Sequence, residues 1–272
     1  DDVRFYPGMG LDAALACFRL TLQVLQQPDA VRRVAAEMCE DAAAEGVTTL
    51  EIRFAPQLHT GARVEAIVDA ALEGCAGRAG LVLCALYGED PAIARHLVNV
   101  GATRPGVVGL DLAGGPSPGQ GWSLRDYAPA FSSARDHGMG RTVHASEGRP
   151  PAEIRTAITA LHAQRIGHGT TLLDDSSILD LVLQRGTTIE ACITSNMQTG
   201  VIQSVMDHPL PRWLRLGVRA CICSDNTLFS DVTASSEHRL AASLPGMSAE
   251  LLAAAIDCGH TAAFDSGSGP IR

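Results

Sequence analysis

Aromatic residues are scarce in this chain. They make up 4% of its 272 residues, although 46% are hydrophobic. The core is therefore expected to be aliphatic, built from Ala, Leu and Val. Long apolar runs are also missing, which excludes a transmembrane helix from the expectation. The opening Asp1-Asp2-Val3-Arg4-Phe5 has neither the basic start nor the apolar stretch of a signal peptide. Positive charge is in the minority, with 21 Lys and Arg against 30 Asp and Glu and a net charge of -9. Nucleic acid and anionic membrane need basic patches, so neither is an expected partner. No CxxC pair is present to form a zinc ribbon. The eight cysteines (17, 39, 75, 84, 192, 221, 223 and 258) mostly fall inside apolar helix or strand patterns. Free cysteine behaves there as a small buried hydrophobe. Cys221 and Cys223 alternate with Ala220 and Ile222, so both point to one face of a strand and are read as packing. Reduced thiols in a chain of this size predict a cytoplasmic protein.

What is present is a repeating unit. Apolar residues recur at helical spacing from Leu11 to Gln27, and again from Ala30 to Glu45, where Gly46 ends the second helix. Val47 to Phe54 is rich in β-branched residues and predicts the first strand. Further strands are expected over 80–87, 106–113, 140–145, 165–168, 188–193 and 217–224, separated by helical stretches. Thr194 to Asp207 reads as a long loop, and His208 to Leu216 as a short helix. The tail from Asp265 is flexible by composition. The strands are near-continuous apolar runs, as when both faces of a parallel sheet are covered. No Gly-rich phosphate loop follows the first strand, which disfavours a dinucleotide fold. The pattern predicts an α/β fold, a (β/α)8 TIM barrel forming a single domain over 1–272. Seven strands are counted where the barrel needs eight, so strand 1 is expected to lie before Asp1.

Polar residues cluster where these strands end, which is where TIM-barrel active sites sit. They are Asp111, His144 with Glu147, His168, and Asp225 with Asn226. Taken singly, each has a bland role available: a satisfied histidine, a turn cap, a loop anchor. Taken together, two histidines and an aspartate ending three strands point at one small volume. Imidazole nitrogen and carboxylate oxygen suit Zn²⁺, with a water in an open position. A metal lowers the pKa of such a water toward neutrality. Glu147, three residues beyond His144, is placed to carry a proton as general acid and base.

Six stretches in order carry a more specific signal. They are Glu51-Ile-Arg-Phe-Ala-Pro56, Gly109-Leu-Asp-Leu-Ala-Gly114, Thr142-Val-His-Ala-Ser-Glu147, Arg165-Ile-Gly-His-Gly169, Thr194-Ser-Asn-Met-Gln-Thr-Gly200 with His208-Pro209, and Ser224-Asp-Asn226. In order and spacing, over nearly the whole chain, the sequence resembles the adenosine deaminase family. The resemblance implies zinc-dependent hydrolytic deamination of a 6-aminopurine nucleoside, with about one zinc per chain. It implies that His144 and Asp225 are metal ligands. Glu147 would protonate the ring nitrogen beside the carbon under attack. His168 would be a catalytic base or electrostatic residue and not necessarily a ligand, which revises its assignment from spacing alone. Asp225 would also contact the attacking water, and the Gly114 backbone and Asn226 would contact the purine.

The sequence departs from the family pattern in four places. The family's opening His-x-His is absent, and His59 alone is no substitute. Asn226 stands where the family usually has a second Asp; an Asn amide donates a hydrogen bond directly, whereas a carboxylate must first hold a proton. Gly115-Pro116 replaces an acidic pair, and Leu86-Tyr87-Gly88-Glu89 lacks a basic residue. These departures keep two alternatives in view: a non-catalytic barrel that binds a purine-like ligand, and an amidohydrolase acting on a non-adenosine amine.

Overall fold

The structure, a computed structural model, describes residues 3–116, 119 and 121–264. Two helices come first, α1 (Leu11–Leu22) and α2 (Pro28–Ala44), and then strands and helices alternate. β1 (Glu51–Phe54) leads to α3 (Val64–Cys75), β2 (Gly80–Leu86) to α4 (Pro91–Gly101), and β3 (Val107–Ala113) to α5 (Ala128–Asp136). β4 (Gly140–Ala145) is followed by α6 (Ala152–Ala160), and β5 (Arg165–His168) by α7 (Ser176–Arg185). Then come β6 (Thr188–Ala191), α8 (Ile193–Gln198), α9 (Leu210–Arg215), β7 (Ala220–Ile222), α10 (Thr227–Ser230), α11 (Ala234–Ala242) and α12 (Ala249–Ala262). The seven strands take the same order in the sheet as in the chain. β2 pairs in parallel with β1 and β3, and β6 in parallel with β5 and β7. Every residue of β5 and β6 is buried. That removes the alternation a half-exposed sheet would show.

Several boundaries differ from the sequence expectation for identifiable reasons. Pro28 starts α2 and does not merely break α1, because its missing N–H is one the first helical turn leaves unpaired anyway. α1 ends at Leu22, short of Gln27. β1 begins at Glu51, where the register with β2 starts (Glu51 opposite Gly80), so Val47–Leu50 are not in the strand despite their β-branched residues. The stretch read as a loop after β6 holds α8, a six-residue helix. The Asp265–Pro270 tail lies outside the described residues.

Chain contacts divide the molecule into two compact units. One contains Arg19–Thr142 with Ala160–His162 and the chain from Ala263. Its core packs Val31, Cys39, Ile52, Ile67, Cys75 and Leu81, all aliphatic or thiol, as the low aromatic content predicts. α2 and α3 meet closely, since a Cβ added at Gly74 would lie 2.2 Å from the Arg32 carbonyl oxygen. In the same unit Arg53 Nη1 pairs with the buried Asp111 Oδ2 at 3.2 Å. The other unit contains residues up to Phe18, Val143–Thr159 and Ala163–Ala262. Here three of the chain's six phenylalanines gather: Phe5 stacks on Phe229 at 5.2 Å, and Phe18 lies 4.5 Å from Phe229. Arg165 and Glu190, both buried, pair at 2.8 Å between β5 and β6. All eight cysteines are free thiols, with Cys221 and Cys223 sulfurs 3.7 Å apart. Among the described residues no helix is long and apolar enough to cross a membrane.

Candidate active site

Three strand ends in the second unit share an unusual backbone. Ser146 follows β4 with φ 58°, His168 ends β5 with φ 67°, and Asp225 lies beyond β7 with φ 56°. Non-glycine residues rarely adopt this left-handed region, and each such residue costs of order 1–3 kcal/mol unless its surroundings impose it. The surroundings of Ser146 do impose it. Its N–H donates to Glu153 Oε2 (2.7 Å), its hydroxyl donates to the Pro150 carbonyl (3.0 Å), and its own carbonyl accepts from the Thr170 hydroxyl (2.9 Å). The tight turn at Ser146 sets the direction in which Glu147 leaves the strand.

Three of the expected residues come together here. The His144 and His168 rings lie 5.1 Å apart, inclined at 59°. His168 Nε2 lies 3.8 Å from Glu147 Oε2, too far for a direct hydrogen bond. Both are buried, at 3% and 6% exposure. The Thr199 hydroxyl donates to Glu147 Oε1 at 2.9 Å. Gly167, the residue before His168, leaves room beside His144: an added Cβ would meet His144 Cα, Cγ and Nδ1, each at 3.4 Å.

The fourth expected residue, Asp225, is exposed and joins a different donor group. Ligand atoms of His168, Cys192 and Asp225 all lie within 4.8 Å of one another. Nitrogen, sulfur and oxygen donors at this separation are a donor set that zinc accepts. Cys192 was not anticipated as part of it, having been taken for packing. The signal available was its place one residue past β6, beside Thr194-Ser195-Asn196. Of the two expected purine contacts, Asn226 is half-buried and starts α10 with no capping bond from its side chain. Gly114 directly follows β3 in the first unit, with φ 76°.

Behind this group lie polar residues, several of them in the Thr194–Gly200 and His208-Pro209 stretches, to which the sequence reading assigned no role. Asn196, fully buried on α8, has Nδ2 2.9 Å from His168 Nδ1 and Oδ1 3.2 Å from His208 Nε2. The Leu210 backbone N–H in turn reaches His208 Nδ1 at 3.2 Å. Burial pushes the His208 imidazole down to about 3. Glu237 of α11 accepts from both the hydroxyl and the N–H of Thr194, which ties down the first turn of α8. Burial raises its carboxyl above the usual range.

The model of the adenosine deaminase family matches residues 6–267. This chain belongs to the adenosine deaminase family. The family consists of hydrolases that act on carbon–nitrogen bonds, and deamination of adenosine or a related purine is the activity its members share. The chain is 36% identical over 255 residues to the adenosine deaminase of Erwinia tasmaniensis, covering 89% of this chain and 76% of that protein. It is 35% identical over 266 residues to a probable adenosine deaminase of Dictyostelium discoideum, covering 94% of this chain. It spans about a third, 34%, of that protein's length. Among solved structures, the adenine deaminase of Arthrobacter aurescens superposes with a TM-score of 0.85 at 22% identity, over 97% of this chain and 82% of that one. An amidohydrolase of Burkholderia ambifaria with bound Zn gives 0.81 at 24% identity, over 89% and 70%. The fold is accordingly that of these enzymes, α/β of the TIM-barrel type, with seven strands among the described residues.

Proposed function

We propose that this chain is one hydrolase domain that deaminates adenosine, or a close 6-aminopurine relative, to the 6-oxo product and ammonia with the help of zinc. The observation that carries the proposal is the gathering of the buried Glu147 and His168 with the half-buried His144 in one group, in a chain of this family. His144 and Asp225 would hold the metal, and Cys192 lies close enough to Asp225 to bear on the choice of ion. When bound, zinc supplies hydroxide near neutral pH.

The chain's own residues account for the rest. Hydrolysis adds an oxygen to the ring carbon bearing the amine, and the adjacent ring nitrogen must take up a proton. Glu147 Oε2 is the proton carrier for that nitrogen, because Oε1 is already held by the Thr199 hydroxyl. His168, beside Glu147, faces the incoming oxygen and steadies its charge. Asp225 orients the same oxygen. Asn226 presents an amide that donates to the purine imidazole nitrogen without first needing a proton. The eight cysteines, all free thiols, support a cytoplasmic location.

Purified protein loaded with zinc should release ammonia from adenosine, and the bound metal should amount to about one zinc per chain. Absence of turnover with adenosine and with a panel of 6-aminopurine bases, nucleosides and nucleotides would sink the proposal.

A further inference from the structure

The line of buried groups behind His168 has a backbone amide at one end, and that amide decides the state of everything in front of it. The Leu210 N–H can only donate. It lies 3.2 Å from His208 Nδ1, so Nδ1 is the acceptor and carries no proton. A histidine that is buried and held neutral must then carry its one proton on Nε2. That Nε2–H points at Asn196 across 3.2 Å, so the atom of Asn196 facing it must be the oxygen. The opposite amide orientation would set N–H against N–H. With Oδ1 committed to His208, the Asn196 amino group faces His168 Nδ1 at 2.9 Å as a donor. His168 Nδ1 is therefore an acceptor, and the ring proton sits on Nε2, on the side of Glu147.

We propose that Asn196 and His208 are positioning residues that lock His168 in the Nε2–H form, so that it meets the reacting oxygen as a hydrogen-bond donor and neither takes a proton there nor ligates metal through Nε2. The inference rests on the function proposed above and decides a point left open there. Of the two roles the family resemblance allows His168, base or electrostatic residue, the relay selects the second. It also leaves His168 no free ring nitrogen for the donor group formed with Cys192 and Asp225, since Nδ1 accepts from Asn196 and Nε2 bears the proton, and the metal falls to other ligands. Asn196 has no exposed surface, and α8 carries it on a first turn tied to Glu237 through Thr194. The amide is thus held by its element and not only by its two histidine partners.

The test is a two-bond proton–nitrogen correlation spectrum of the zinc-loaded, nitrogen-15-labelled protein, which reports directly which ring nitrogen bears the proton. Signals are assigned with His168→Gln and His208→Gln. Both histidines should show a protonated Nε2 and a bare Nδ1. In Asn196→Asp the side chain offers only acceptors, so the His168 proton should move to Nδ1. With adenosine as substrate, kcat should then fall by about 10²-fold or more with KM changed much less, because a general acid–base or donor contribution is of that size. A His168 proton on Nδ1 in the unaltered protein, or a metal-bound Nε2, overturns the inference. Loss of activity in Asn196→Asp without a change of His168 form overturns it as well, since Asn196 would then be merely structural. The two proposals fail separately. Deamination with His168 protonated on Nδ1 would reject the relay and keep the function. The expected spectrum without turnover of any 6-aminopurine would do the reverse.

Discussion

Each compact unit holds an arginine–carboxylate pair with a buried carboxylate, and the two units treat their remaining strand-end polar groups differently. In the β1–β3 unit, Arg53 closes directly on Asp111, which is fully buried, and the Cys84 thiol completes the contact with the same oxygen. Glu89 likewise accepts from Gln57 and from the Leu86 N–H. Charge there is met by charge or by hydrogen bonds, and the arrangement is finished. In the unit with β5–β7, Arg165–Glu190 plays the same structural part. Beyond it, however, Glu147 and His168 face each other at 3.8 Å without a bond, and their other atoms are pinned by Thr199 and Asn196. A pair held at such a distance by neutral partners on its far side keeps its facing atoms available. Asp111, which sequence alone could place either in a site or in a loop anchor, is on this evidence an anchor.

Two substitutions should separate these behaviours. Glu147→Gln keeps the shape and the acceptor for the Thr199 hydroxyl but loses the transferable proton. It should lower kcat by about 10²–10⁴-fold while leaving zinc content and thermal midpoint unchanged. Steady-state kinetics beside metal analysis would show this, and retained activity would remove Glu147 from its role. Arg53→Met leaves the Asp111 carboxylate buried without its cation. It should cost about 3 kcal/mol of stability, the lower end for a broken buried pair because Arg53 is itself part-exposed. Urea unfolding measures it. An undiminished midpoint would mean that Asp111 is stabilised by something other than this pair.

The contrast was only half visible in the sequence. Strand identity was legible most plainly in β2, a continuous apolar run, and elsewhere in short apolar or β-branched segments set between helical stretches. The positions of His144, Glu147, His168 and Asp225 were legible because each ends or follows such a segment. Helix α8 was not, since Thr194-Ser195-Asn196 carries no helical spacing of apolar residues and six residues give too little pattern to find one. With α8 unseen, Asn196 could not be placed between His168 and His208, which meet it from 28 and 12 residues away. The left-handed backbone at His168 and Asp225 leaves no compositional trace either, because neither residue type demands it. Val47–Leu50 fails in the opposite sense: the composition suits a strand, but pairing with β2 starts at Glu51.

Acid should weaken the β5–β7 unit through His208. Its folded pKa of about 3 lies below the ordinary 6.5, so between those values the unfolded chain binds a proton that the folded chain refuses. The stabilising contribution is complete above pH 6.5 and is lost progressively as pH falls toward 3, at up to about 1.4 kcal/mol per pH unit. Burial lowers the His59 pKa too, so the other unit leans the same way, and His59 there meets the Leu25 carbonyl through Nδ1. Unfolding free energies at pH 7 and pH 5 should show a smaller acid loss in His208→Gln than in the unaltered protein. An equal loss would assign the acid limb to other groups.

The smallest expected change in stability is also the most pointed. Gly74 and Gly167 are both glycines with neighbours near the missing Cβ. Gly74→Ala would drive a methyl to 2.2 Å from a backbone carbonyl, which cannot yield without parting α2 from α3. Gly167→Ala meets His144 first, at 3.4 Å, an ordinary contact distance, and alanine is no worse than glycine in a strand. Its effect on unfolding should therefore stay within about 1 kcal/mol. Yet the atoms it touches are the Cα and ring of a proposed metal ligand, and a ligand's orientation is set by the groups packed around it. Zinc affinity should fall by about tenfold or more, measured by competition with a chromogenic chelator, while the urea midpoint barely moves. Loss of stability without loss of affinity would mean that Gly167 serves the sheet and that the His144 ring is oriented from elsewhere.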